Sequence, residues 1–488
     1  MERVSYFGLI PFIFAAAALG AFKKIKEITI FGSIFIATFF LSTNFFINKF
    51  LYLLPIPVFS TTVPTRVLGL FVFSGSILAA FGLDLFLQKK SKKNFIISFS
   101  FVFTLLTGAV IFVLLGAKFS PELAANLAIT KRNLLLPIIF FTLCLILFFL
   151  NYYGSRIFKK ITTMPTFIGI LCIIITVFDL FYFFHKITPF SPKEYIYPQT
   201  EVVKYLQNNG GLYRFWGYGS AYVHSNFQAV DKTYSPEGED PLHLRWYTEL
   251  LSATDDGKLP NILPRPDANI VPGYGPGQFE KNQYRQRILN LDGVKYILNK
   301  DDGLGAEYKP DKSTFPDKDY KLIWQKSPWQ IYENLNVLPR TFLVNDYQII
   351  SDNKKEIQTL FSPNFNIRKT IIINKTPQFS IDNKTDLKGL AQIITYTPNK
   401  VIIRVSTNTS AFLFLSDTYS VSWRAQVDGV EVPVYKADYA FRAIPVTKGE
   451  HTITFFFDSN NFEKGVLFSG IFAILLILIL LKTNSKKL

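Results

Sequence analysis

Five residues within a nine-residue window could do chemistry together. Glu237, Glu239, Asp240, His243 and Arg245 fall in SPEGEDPLHLRWYTELL, which starts at Ser235. Carboxylates beside a histidine can supply an acid and a base, or oxygen and nitrogen ligands for a divalent cation. No other cofactor is signalled. The same residues also read as a loop running into a helix that Pro241 opens at its first turn. Arg66 offers a second chemistry. A guanidinium grips phosphate through paired hydrogen bonds, and Arg66 enters an apolar run where a lipid phosphate would lie. Anchoring to headgroups would explain it equally. Asp179 lies inside another apolar run, where a carboxylate must face other helices or water. It is either a functional group or the partner of a Ser, Tyr or Lys on a neighbouring helix. Asp84, beside Lys89 and Lys90, reads as a helix-end charge pair. The sequence shows no metal-ligand spacing, phosphate-binding glycine loop, dinucleotide fingerprint or nucleophile elbow. Residue chemistry alone names no reaction.

The elements that must position these residues are dominated by apolar runs at 5–22, 28–46, 67–87, 95–115, 133–150, 165–184 and 465–481. Each approaches the length a helix needs to cross ~30 Å of hydrocarbon. The expectation is a seven-helix membrane bundle with a large polar region, 185–464, between the sixth and seventh spans. Thirteen Lys and Arg follow the first, third, fifth and seventh runs, against six in the N-terminal tail and the alternate loops. Positive charge stays on the cytoplasmic side. The N-terminus and residues 185–464 are therefore expected outside a cytoplasmic membrane, with the C-terminus inside.

The formal net charge of +16 suggests nucleic acid until it is divided by region. Residues 185–464 hold 33 Lys and Arg against 31 Asp and Glu, and the remainder holds 19 against 5. The excess belongs to the membrane part, where it follows topology and attracts anionic lipid. No nucleic-acid partner is expected. Both cysteines, Cys144 and Cys172, sit in apolar runs. The 280-residue polar region is large enough to form a core without disulfides.

Within that region, Thr200 is placed to cap a short helix ending at Asn209-Gly210-Gly211. Strands are expected at Tyr213–Tyr218, Lys295–Leu298, Trp329–Glu333 and Thr341–Val344. Residues 254–285 are rich in Gly, Pro, Asn and Asp and predict long loops or a flap. From Leu390 onward, short alternating runs with regular turn signals predict an antiparallel β-sandwich. Asp428-Gly429 is a type I′ hairpin signal, and Lys448-Gly449 is expected to close a second hairpin. The proline-broken loop 47–66 reads as a piece lying in the outer interface, either packed on the bundle or lining a lipid groove. The resulting division is a six-span membrane domain at 1–184, an extracytoplasmic α/β domain at 185–386, the sandwich at 387–464, and a last span with its tail at 465–488.

Several stretches resemble the YfhO family of bacterial multi-spanning membrane proteins. They are YFGLIPFIFAAAALGAF from Tyr6, PTRVLGLFVFSGSILAAFGLD from Pro64, GEDPLHLRWYTELL from Gly238, LDGVKYIL from Leu291, YENLNVLPRTFLV from Tyr332, and the stretch from Leu413 to Phe457. The last carries Trp423, Asp428-Gly429, the Ala440-Phe441-Arg442-Ala443 run, and Gly449 with His451. Two positions depart from the pattern: Glu239 replaces an aromatic, and Ser422 replaces the glycine before Trp423. That family is similar to GT-C glycosyltransferases. The resemblance implies inverting sugar transfer from a polyprenyl-phosphate donor to an envelope glycopolymer such as a teichoic acid, on the outer face. It implies Arg66 as a lipid-phosphate contact and leaves the catalytic base unassigned. It also starts partway into the family's membrane region, which implies further N-terminal spans and the catalytic loop supplied from elsewhere. The alternative is a non-catalytic, membrane-anchored envelope protein whose sandwich binds glycan or a protein partner.

Overall fold

The computed structural model describes residues 5–43, 46, 48, 64–119, 124–157, 164–187, 191–263, 267–271, 279–301, 313–378, 381 and 385–484. The chain divides into two compact units, Met1–Pro192 and Lys193–Leu488. Most of the loop at 47–66, expected in the interface, lies outside the described residues.

The first unit is helical. Four of its helices contain stretches long and apolar enough to cross a membrane: Thr65–Leu87, Lys92–Leu115, Leu127–Gly154 and Met164–Lys186. In the second unit Asn460–Ile479 is a fifth. Phenylalanines such as Phe73, Phe103, Phe149 and Phe181 are exposed on these helices. Lipid tolerates such a surface and water does not. The first two apolar runs, expected to be full spans, form shorter helices at Leu9–Leu19 and Lys26–Ser42. Eleven residues at 1.5 Å each cover roughly half of the ~30 Å hydrocarbon layer. Gly20 ends the first helix, and a turn running to Ile25 follows.

That short helix is the core of its unit. Ile10, Ile13, Phe14, Ala15, Ala17 and Ala18 are all buried. Its run of alanines lets other helices approach closely, as small residues do between membrane helices. The closest approach is at Gly82, where an added Cβ would lie 2.1 Å from the Phe14 carbonyl oxygen. Polar side chains secure the contact: Ser98 Oγ donates to Ile13 O at 2.8 Å, and Asn151 Nδ2 donates to Phe86 O at 2.6 Å.

The second unit is β-rich. Strands β1 (Arg214–Gly217), β4 (Val294–Lys300), β6 (Trp329–Asn334) and β5 (Tyr320–Lys326) form one sheet in that order. The β1–β4 pair is parallel and the others antiparallel. Strand alternation sends Phe215, Tyr296 and Leu298 to one face, against Val202 and Leu206 of helix Glu201–Asn209. Trp216 and Ile297 turn to the other face, into the main core with Leu250, Leu251, Ile288 and Leu289. Thr200 caps the first helix as expected, its side chain accepting from Val203 N. A two-stranded ribbon, β2 (Gly238–Glu239) with β3 (Asp267–Ala268), stands apart from this sheet.

Two further sheets follow. One has the order β7 (Thr341–Val344), β12 (Ala411–Leu415), β16 (Phe441–Val446), β15 (Tyr435–Ala437), β9 (Thr370–Ile373), β8 (Asp346–Ile349). The other has the order β10 (Gly389–Thr397), β11 (Lys400–Thr407), β17 (Gly449–Phe457), β13 (Trp423–Val427), β14 (Val430–Val432). They share one core, built from Leu413, Leu415 and Ile444 of the first and Ile403, Val405, Ile453 and Phe455 of the second. Phe412 and Phe414 point the opposite way into the main core, so β12 and β16 are buried throughout. The Asp428-Gly429 turn joins β13 to β14 with φ of 51° and 83°, as a type I′ hairpin requires. The second expected hairpin does not form. Lys448-Gly449 lies between β16 and β17, which belong to different sheets, so the chain crosses from one layer to the other there. The glycine marks a reversal, with φ 134° at Gly449, but turn chemistry does not say which sheet receives the next strand.

Gly82 yields a direct test. Gly82→Ala should destabilise the helical unit by about 1–3 kcal/mol, since backbone cannot retreat from the new methyl. Thermal unfolding of the detergent-solubilised protein measures this, with Gly69→Ala, which has open space around it, as the neutral control.

Candidate functional site

A cleft of about 690 Å³ opens within the second unit. One wall is formed by Ser235–Asp240, His243, Leu244 and Tyr247, and the other by Tyr396–Asn399, Thr418 and Trp423. Its floor holds Arg214, Arg340, Asp417 and Arg442.

Asp417 follows β12 and gathers three arginines from distant segments. Arg214 Nη2 on β1 donates to its Oδ1 at 3.2 Å, and Arg340 Nε, just before β7, donates at 3.1 Å. Arg442 Nη2 on β16 stands 3.7 Å from Oδ2. The Tyr396 hydroxyl of β10 lies 3.0 and 3.1 Å from the two oxygens. Burial alone would raise the carboxyl, but Arg340, Arg442 and Arg214 outweigh it and hold Asp417 below the usual carboxylate range. Arg214 is also tied to Asp292 at 3.1 Å and donates to Ser416 O at 2.7 Å. The Tyr247 hydroxyl lies 2.7 Å from Asp292 Oδ2. Arg340 packs on Tyr234 and Tyr396 at 4.6 and 4.4 Å from the ring centres, and Arg442 lies 3.8 Å from the centre of the Trp423 ring.

The structure brings four of the five clustered sequence candidates to this cleft. Glu237 is buried, and its Oε1 accepts from Trp216 Nε1 at 2.8 Å and Ile270 N at 3.0 Å. Burial pushes its carboxyl up to about 7, against the lowering effect of those two bonds. Glu239 pairs with Asp267 in the short ribbon, and its backbone exchanges hydrogen bonds with the Asn226 side chain. Asp240 Oδ1 accepts from Leu242 N, and His243 Nδ1 lies 2.8 Å from Asp240 O. Arg245 does not line the cleft; it donates to Glu249 Oε1 at 2.7 Å along its own helix. That helix begins at Arg245 rather than at Pro241, because Asp240 and His243 hold the preceding residues in a turn. Among the described residues no three of His, Cys, Asp and Glu gather as a metal ion would need.

The candidates in the helical unit are placed differently. Asp179 accepts from Leu9 N at 3.0 Å, and the Tyr6 hydroxyl lies 2.7 Å from both of its oxygens. It therefore satisfies an open backbone donor at the start of the short central helix, where negative charge is also favoured. Gln88 Nε2 donates to Asp84. Arg66 is exposed in the turn Pro64–Val67 that leads into the helix Leu68–Leu87.

Sequence reading missed the floor of the cleft. Its one local signal was a charge interrupting an apolar strand: Arg214 in YRFWGY, Asp417 after AFLFLS, and Arg442 in AFRAIPV.

Residues 373–469 match the family model described as bacterial membrane protein YfhO. The resemblance read from the motifs is borne out over this stretch, which runs from the end of β9 into the last helix and includes Tyr396, Asp417, Trp423 and Arg442. No curated protein and no solved structure matches the chain.

Two predictions follow from the buried charges. Asp417→Asn would leave three guanidinium groups facing Asp292 alone, and should cost about 3–5 kcal/mol in thermal or denaturant unfolding. The second concerns Asp438, fully buried on the turn between β15 and β16, whose Oδ1 accepts from Ile372 N while Oδ2 lacks a partner. Burial pushes its carboxyl up to about 8. A raised acid contributes stability fully below its unfolded value of 3.8 and loses it as pH rises through the folded value. Asp438→Asn keeps the Oδ1 acceptor and tolerates the residue's φ of 43°. It should flatten the fall in melting temperature between about pH 4 and pH 8; an unchanged profile would show that folding does not raise the Asp438 carboxyl above its unfolded value.

Proposed function

We propose that this YfhO-like membrane protein holds a cell-envelope glycan in the Asp417 cleft, on the outer face of the bacterial cytoplasmic membrane. In this reading it serves a glycosyltransferase of the GT-C type, which moves a sugar from a polyprenyl-phosphate donor to an envelope glycopolymer. The cleft is the observation that carries the reading. Its volume is in the range of small-ligand sites. Trp423, Tyr396 and Tyr247 offer aromatic surface to the apolar face of a sugar ring. Asn399, Thr397, Glu239 and Asp240 surround them with groups suited to sugar hydroxyls. The two sheets with a shared core are read as a β-sandwich. The short helices Leu9–Leu19 and Lys26–Ser42, with the five longer ones, are read as a seven-helix membrane domain. The lysine and arginine distribution orients residues 185–464 outward. Arg66 is the proposed contact for the donor's lipid phosphate.

One observation favours the second reading, a membrane-anchored glycan-binding protein without catalysis. Asp179 and Asp84, the carboxylates of the apolar runs, are both engaged by neighbouring groups. A catalytic base in the membrane unit is then not among them.

Binding and transfer assays on the purified full-length chain separate the two. At least one member of a panel spanning neutral and anionic envelope oligosaccharides should bind, and Trp423→Ala should weaken that binding at least about tenfold while leaving the melting curve two-state. Transfer from a polyprenyl-phosphate sugar that is lost in Arg66→Ala supports the first reading. Binding without transfer supports the second, and no binding at all sinks both.

A further inference from the structure

The floor of the cleft is not neutral. Arg214, Arg340 and Arg442 face two carboxylates, Asp417 and Asp292. Arg214 and Arg340 each donate directly to Asp417, and each also donates to a backbone carbonyl, Arg214 to Ser416 and Asp292 and Arg340 to Leu212. Arg442 is left with the poorer share. Its Nη2 stands 3.7 Å from Asp417, its Nε donates to Thr418 O at 3.1 Å, and its Nη1 has no hydrogen-bond partner. The residue is only 3% exposed where it lines the floor of the cleft. Burial pushes this guanidinium down to about 10, with the attraction of Asp417 only partly opposing it. A buried charged donor without an acceptor is costly, and such groups in native proteins call for a ligand or a role.

We propose that the cleft seats an oxyanion of its ligand, a phosphate or a carboxylate, on the guanidinium of Arg442. An oxyanion supplies the acceptor that Nη1 lacks, and it balances the third arginine of the floor. The Trp423 ring already holds the guanidinium plane by stacking, so the group is fixed before the ligand arrives. The ligand is therefore an anionic glycan rather than a neutral one. This inference deepens the glycan reading and rests on it for the sugar, but not for the anion.

Calorimetric titration of the full-length protein in detergent, at constant ionic strength set with chloride, tests it. The probes are inorganic phosphate, glucuronate and the neutral maltohexaose. Phosphate or glucuronate should bind at least about tenfold more tightly than maltohexaose, and whichever is stronger identifies the anion class. Arg442→Lys should weaken that binding at least about tenfold, whereas Arg404→Gln, which removes an exposed arginine on β11, should leave it unchanged. Melting curves establish that Arg442→Lys is folded; if it is not, the oxyanion preference of the unmodified protein over chloride and over maltohexaose decides alone. Anion binding without any glycan binding upholds the inference and removes the glycan reading. Equal binding of neutral and anionic probes, or anion binding unaffected in a folded Arg442→Lys, overturns the inference and leaves the glycan reading intact. No binding of any probe overturns both.

Discussion

Asp417 is the constraint on which the β-rich unit depends. Its carboxylate is met by side chains from β1, from the segment before β7, from β10 and from β16, so one buried anion joins all three large sheets. The nearest of these in sequence is Tyr396, 21 residues away, and the farthest is Arg214, 203 residues away. Hydrophobic packing would bring these sheets together but would leave their offset loosely defined. Directional charge-assisted bonds fix it, because each donor must reach the same two oxygens. Such a network is a poor source of net stability, given the desolvation of four ions, and its value lies in the specificity of the arrangement.

The helical unit meets the same requirement in a drier setting. A short helix at the centre of an apolar bundle cannot leave its first backbone donors to water. Asp179 takes up Leu9 N and is itself met by Tyr6, while Ser98 and Asn151 bond backbone carbonyls across helices. In both units the charged and polar groups lie where a backbone or sheet offset needs a direction that apolar contact does not supply.

This explains which parts were legible in the sequence. The five long apolar helices could be read because a span is announced by composition over about twenty consecutive residues. The Asp428-Gly429 hairpin could be read because two positive φ angles leave few residue choices. Thr200 could be read as a cap because its partner is three residues away. The Lys448-Gly449 crossing could not, since a strand's destination is set by which face it buries, and β16 is buried along its whole length. The first run looked like a span because 5–22 is apolar throughout, whereas the helix stops at Gly20. The acid cluster around Glu237 was legible as a local density of charge. Arg214, Arg340, Asp417 and Arg442 were not, because their meaning lies in contacts across 25 to 203 residues and each seemed an isolated charge in an apolar strand or near its end.

The state of each group also bears on whether the cleft holds a ligand or transforms it. Asp417 is held ionised by three arginines and already accepts from two of them and from Tyr396, so it has little capacity to take up a proton. Glu237, with burial raising it to about 7, could exchange one near neutrality, but its Oε1 is occupied by Trp216 and Ile270. The rest of that wall is shaped by hydrogen bonds between side chains and backbone at Glu239, Asp240 and His243. A floor fixed this firmly costs little to order when a ligand binds, which is the condition under which modest contacts give useful affinity. The same rigidity disfavours proton transfer through Asp417. The cleft is therefore better suited to holding a ligand than to transforming it through Asp417.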